Sequence, residues 1–179
     1  MKKILELFII FLVFGNCNSP SEEEPILTNA EPTTKKFFDY DEIDYYYYDF
    51  RNDLTAIHKN QSRSEIDSIK AGVVLENMPK NISDTIFINK LDKLGFKKYS
   101  IYESMFSKID KILSEKNKGV IETMPCIYAY RDILVFKKKE KIIGTAKFDL
   151  ACLSNQIHGS IADIESFGQK EDYMNLENC

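Results

Sequence analysis

The chain has 179 residues, 44% of them hydrophobic and 29% charged, with 24 basic and 28 acidic side chains and a net charge of −4. That balance excludes a disordered chain, allows one domain with a real core, and gives no electrostatic reason to bind nucleic acid or an anionic bilayer. With two histidines and no tryptophan, histidine-based metal sites are scarce from the start. The sequence assigns no metal, no cofactor and no catalytic residue.

The beginning organises the rest. Lys2 and Lys3 give a positive start, residues 7–14 are an unbroken apolar run, and Gly15, Asn16 and Cys17 follow. This is the layout of a cleaved export signal over residues 1–16. A spanning helix needs about 20 apolar residues, and here Glu6 stands directly before a much shorter run. The run is apolar all round, which also disfavours an amphipathic surface helix. The arrangement resembles the lipobox of bacterial lipoproteins. Phe14 stands where that family usually has Leu, and Asn16 where it has Gly, Ala or Ser. The resemblance implies that Cys17 is lipidated and becomes the new first residue. The protein would then be exported and held to the cell envelope by its lipid, at the periplasmic face or outer surface of the outer membrane. Removing Lys2, Lys3 and Glu6 takes the 24 basic and 28 acidic side chains to 22 and 27, so the mature chain stays mildly acidic.

Residues 17–36 read as the lipidated cysteine and a tether. Pro20, Glu22, Glu23, Glu24, Pro25 and Pro32 cannot build a core and keep the segment extended. An acidic run behind the lipidated cysteine also resembles the surface-export tag of some outer-membrane lipoproteins.

Residues 37–179 read as a single globular α+β domain, a small antiparallel sheet with a C-terminal β-hairpin packed against two or three helices. Its first strand holds Ile43 and Tyr45–Tyr48. Alternation puts Ile43, Tyr45 and Tyr47 on one face and Tyr46, Tyr48 and Phe50 on the other. Tyr45, Tyr46, Tyr47 and Tyr48 are candidates for a stacking platform toward a protein or glycan partner; the competing reading is a strand covered on both sides. Asp39, Asp41, Glu42 and Asp44 read as a solvated acidic cluster, lacking the glycine and distal glutamate of a calcium loop.

Ser64 is placed to cap a short helix ending at Gly72, with residues 73–75 as a short strand. Ser83 and Asp84 cap an expected helix through Leu94, closed by Gly95. Ser100 caps another, in which Tyr102, Met105, Phe106, Ile109, Ile112 and Leu113 form the apolar stripe and Gly119 the end. Residues 133–136 and 142–143 flank a lysine-rich tip of a hairpin, with Gly144 weakening the second strand or marking a bulge. Tyr173, Met174 and Leu176 suggest a last helical turn docked on the sheet.

With Cys17 assigned to lipid, Cys126, Cys152 and Cys179 remain, an odd number for an oxidising compartment. A hairpin loop at residues 138–140 pairs residues summing to 278, which sets Cys126 opposite Cys152 for a cross-strand disulfide. Cys179 is the other possible partner. A sharper reading is a thiol- or metal-dependent envelope enzyme using Cys126, Cys152 and His158, although the spacing matches no standard site and no Cys-x-x-Cys is present. Asp132 beside Arg131 is a candidate catalytic carboxylate, against the plainer reading of an ion pair. Asp67-Ser68-Ile69 and Asp84-Thr85-Ile86 resemble a bacterial O-glycosylation signal. The run from Cys126 through Tyr130-Arg131-Asp132 to Phe136 looks like a segment of small bacterial secreted proteins and lipoproteins without assigned activity. In those a second strand ends in Cys-x-x-Cys; here Asp149 replaces the first cysteine of that pair. The expectation is a membrane-anchored lipoprotein with a non-enzymatic binding or interaction domain.

Overall fold

The computed structural model describes residues 34–49, 57, 64–122 and 124–179. The export signal, Cys17, the acidic run and Phe50 lie outside the described residues. Five strands, β1 (Glu42–Tyr47), β2 (Lys97–Ser100), β3 (Asp132–Lys138), β4 (Lys141–Asp149) and β5 (Ser154–His158), make one sheet in the order β2-β1-β3-β4-β5. Every pairing is antiparallel. Among the described residues three further elements, the helices α1 (Glu65–Leu75), α2 (Phe106–Ile112) and α3 (Lys170–Glu177), complete an α+β fold. Thr33–Cys179 form one compact unit.

The sheet is covered on both faces, which is why β1 can be aromatic on both. Ile43 joins Phe37, Phe38, Phe136, Phe148 and Tyr173 in one core, with α2 contributing Ile109 and Ile112. Tyr46 and Tyr48 join Val73, Val74, Leu91, Ile133 and Val135 in the other. Central β3 faces both, so its residues 133–136 are all buried and read as a continuous apolar run.

Several elements differ from the sequence reading, each for a tertiary reason. The first helix starts at Ser64, whose side chain accepts from the Asp67 N–H, but it runs on through Gly72 to Leu75. Residues 73–75 are not a strand, because Val73 and Val74 are fully buried on the helix face that meets the sheet. The expected helix to Leu94 is instead a series of turns with one 3-10 segment, Ile88–Lys90. Thr85, Ile86, Phe87 and Ile88 are poor helix formers, and burial of Phe87, Leu91 and Leu94 secures the segment without an α-helix. Gly95 does stop it, at φ +96°. Ser100 caps nothing: it ends β2, opposite Asp44. α2 begins only at Phe106 and ends at Ile112, leaving Tyr102 exposed. Past Leu113 the backbone turns to the segment before β1, with Glu115 N–H on Lys35 O and Phe37 N–H on Leu113 O, so residues 35–36 belong to the fold rather than the tether.

The hairpin turns on two residues, Lys139 and Glu140, both at positive φ, as right-handed strand twist favours. A bulge at Phe136/Lys137 shifts the register, so the pairs sum to 279 near the tip and 280 beyond it, not 278. Gly144 lies opposite Phe136 beside this bulge. Its bare Cα lets the Phe38 ring lie flat against the strand, where it stacks on Phe136 at 4.1 Å between centroids.

The acidic cluster is not simply solvated. Asp44 is buried and held by Lys137 at 2.6 Å and Lys98 at 2.9 Å. Lys137 also meets Glu42, Lys138 meets Asp39, and Asp41 accepts from the Lys139 N–H. The lysine-rich tip is thus neutralised by the acids that open the domain.

Candidate functional site

Between the β1–β3–β4 face of the sheet and helices α2 and α3 lies a cavity of about 460 Å³, within the size range of small-ligand sites. Its apolar walls include Met105 and Ile109 from the α2 region, Leu134 and Phe148 from the sheet, and Leu150 and Leu176. Its polar groups are few: Tyr45, Asp132, Glu177 and the free thiol of Cys179 among them. Among the described residues that line it there is no Lys, Arg or His.

Asp132 starts β3, opposite Tyr47 on β1 and Phe148 on β4. Pleating puts its carboxylate on the same face as Tyr45, a diagonal neighbour across the pair. The Tyr45 hydroxyl donates to Asp132 Oδ1 at 2.5 Å. Oδ2 is buried and accepts no hydrogen bond within the protein; the Arg131 Nε stands 3.5 Å away as an ion-pair partner only. Burial raises the Asp132 pKa, against the lowering effect of the Tyr45 bond and the Arg131 charge. Burial, then the Asp132 bond, hold the Tyr45 phenol protonated well above its ordinary value. The expected Arg131–Asp132 ion pair is therefore present, made through the buried Oδ2, while Oδ1 is held by Tyr45.

The tyrosines of β1 divide between roles. Tyr46 and Tyr48 are packed into the second core, Tyr48 against Phe96 at 5.1 Å. Tyr45 lines the cavity and Tyr47 is half-buried. Of these four tyrosines, Tyr45 alone is among the described residues lining this cavity.

Cys126 and Cys152 form a disulfide, with Cα atoms 6.0 Å apart. It does not cross the hairpin ladder. It joins the segment before β3 to the turn after β4, where neither residue is in a strand. Asp149 clamps the same junction: its carboxylate accepts from the Ala129 N–H at 2.7 Å and from the N–H groups of Ala151 and Cys152. Cys179 is free. His158 is not brought to these sulfurs. It ends β5, four strand steps or about 13 Å beyond Ser154, opposite Thr145 on the other face of the sheet. Among the described residues no three His, Cys, Asp or Glu side chains are grouped to hold a metal. Ser68 lies in the first turns of α1, and the Thr85 carbonyl accepts from the Ile88 N–H at the start of a turn.

Lys147 was not legible as special. It is fully buried in β4, and its ammonium donates to the carbonyls of Val73, Glu76 and Met78 at 2.9, 3.0 and 2.7 Å. It also lies 4.4 Å from the Tyr130 ring centroid. The contact satisfies the orphan carbonyls at the end of α1 and sets a positive charge at its negative pole. Burial pushes its pKa down to about 7. Burial and the Lys147 charge together lower the pKa of His158.

No family model, no curated protein and no solved structure matches this chain.

Proposed function

We propose that this chain is a membrane-anchored lipoprotein of the cell envelope whose α+β domain is a non-enzymatic binding module working through the cavity between the sheet and α2 and α3. The cavity carries the reading: apolar walls and a few polar groups, Tyr45, Asp132 and Glu177 among them, are the makings of a ligand site. The N-terminal signal and Cys17 supply the anchor. The Cys126–Cys152 disulfide suits an oxidising compartment outside the cytoplasm. No described helix is long and apolar enough to cross a membrane.

Two measurements test it. In bacteria fed an alkyne analogue of palmitate, the full chain is expected to take the label and Cys17→Ser to lose it; an unlabelled wild-type chain removes the anchor. Nile red, a neutral apolar dye, is expected to bind the wild-type chain and to bind Met105→Trp about tenfold more weakly, because indole at that wall fills the cavity. Equal binding by both removes the cavity from the reading.

A further inference from the structure

We infer that the exposed apolar run at residues 117–122 and 124–128 docks the domain on a lipid bilayer, setting its aliphatic side chains among the head groups of the membrane that holds Cys17. The inference rests on the lipid anchor proposed above and adds the face that the domain turns to the membrane.

None of these residues lies in a helix or strand, and all of them are exposed. Val120 and Ile127 show 82% and 77% of their surface, and Ile121, Met124 and Tyr128 are exposed beside them. A contiguous apolar patch of this kind marks a contact with a membrane or a protein. Both ends are fastened. Lys116 pairs with Asp172 at 3.3 Å, Asn117 O accepts from the Gln169 amide at 3.1 Å, and Cys126 is bonded to Cys152. A run held this way loses little chain entropy on docking. Its place in the fold selects the bilayer. The run begins where the chain from Cys17 comes into the domain: the Glu115 N–H donates to Lys35 O, and the Thr34 hydroxyl donates to Ser114 Oγ. Ile161, also exposed, donates its N–H to Phe37 O close by. From Cys17 to Thr34 the chain reaches about 60 Å at most. Lipid at Cys17 therefore keeps the run at high effective concentration beside the membrane, where a contact too weak to act alone suffices. Composition agrees. The run carries one lysine, Lys118, and one acid, Glu122, so its docking is apolar and independent of anionic lipid. Protein hot spots favour Trp, Tyr and Arg. Of these the run holds only Tyr128, whose ring suits the head-group level of a bilayer.

The chain has no tryptophan, so a single introduced indole reports its own surroundings. Ile121 of the run lies against Gly168 together with Asn155 of β5. The other edge of the sheet is β2, about 19 Å across, and its exposed Tyr99 supplies the control. Val120→Trp and Tyr99→Trp are made in the full lipidated chain and reconstituted into vesicles of phosphatidylethanolamine and phosphatidylcholine, with or without bromine on the phosphatidylcholine acyl chains. The brominated lipid is expected to quench Val120→Trp about threefold more strongly than Tyr99→Trp, at low and high salt alike. Adding Ile127→Asp to Val120→Trp should shrink that difference. Flotation of the same samples separates this inference from the anchor beneath it. Chains that float with the vesicles but are quenched equally at the two positions, or quenching of Val120→Trp that is lost at high salt, overturn the docking and leave the anchor. A run indifferent to lipid in floating chains is then a surface for a protein partner. Chains that do not float overturn the anchor and the docking together.

Discussion

Lys147 shows how much one side chain can hold in place. Replacing it by Met keeps the volume but leaves three carbonyls without a donor, a loss of roughly 3 kcal/mol by the cost of buried unsatisfied groups. Its charge also sets a pH dependence. Its pKa when folded, about 7, lies below the 10.5 of the free side chain. The unfolded chain therefore binds the extra proton between those values, and stability rises with pH across that window. Buried tyrosines oppose this at higher pH. Tyr40, Tyr45, Tyr46, Tyr130 and Tyr173 are held above 10.0, chiefly by burial. They stay protonated when folded and ionise on unfolding, so stability falls above about pH 10. Urea midpoints are expected to rise from pH 7 toward pH 10 and then drop, with Lys147→Met losing the rise and keeping the drop. A flat wild-type profile between pH 7 and 9.5 would mean that the three carbonyls hold the ammonium fully charged. Gly144 is the second case. An added methyl would run into the Phe38 ring, so Gly144→Ala should cost about 1–3 kcal/mol in chemical denaturation. Phe38→Leu should relieve part of that cost in the double variant.

At the level of elements, the strands were legible and the helices less so. Alternation in β1 and the apolar run of β3 announce themselves in the sequence, and a two-sided sheet explains the tyrosines that alternation places on both faces. Ile88, Leu91 and Leu94 are buried, and their three-residue spacing serves a 3-10 turn as well as an α-helix. The end of α2 depends on backbone bonds to Lys35 and Phe37, some 75 positions away, which no local signal carries. Lys147 shares one face of β4 with Thr145 and Asp149, a polar row that the strand period reads as solvent-facing; α1, packed over it, hides that face. The disulfide was foreseen for the wrong register: Cys126 and Cys152 meet because both have left the ladder. Closing this 26-residue separation stabilises by about 3.5 kcal/mol on the chain-entropy estimate. Reduction should lower the urea midpoint by a corresponding amount while the sheet persists, as read by far-ultraviolet circular dichroism at low denaturant. An unchanged midpoint would leave Asp149, which ties the same two segments, as the sufficient clamp.

Across the whole molecule, two cores share one sheet, and each has a charged group set into it. Asp132 stands at the wall of the cavity on the first face, held by Tyr45 and Arg131; Lys147 is closed over by α1 on the second. The cavity itself was not legible, because its lining comes from β1, the turn after β2, α2, β3, β4 and the last helix. Asp132 was singled out in the sequence, yet nothing there told that Tyr45, 87 positions away, would hold one of its oxygens. One further consequence follows from how the domain begins. Phe37 and Phe38 are fully buried, Phe37 is bonded to Leu113 O and Ile161 N–H, and Phe38 lies on Gly144. Tension applied to the chain ahead of residue 34 is therefore delivered straight into the interior rather than to a frayed end. It must first shear the Lys35–Glu115 and Phe37–Leu113 bonds and then draw two aromatic rings out of the core, so under load this domain resists at its point of attachment.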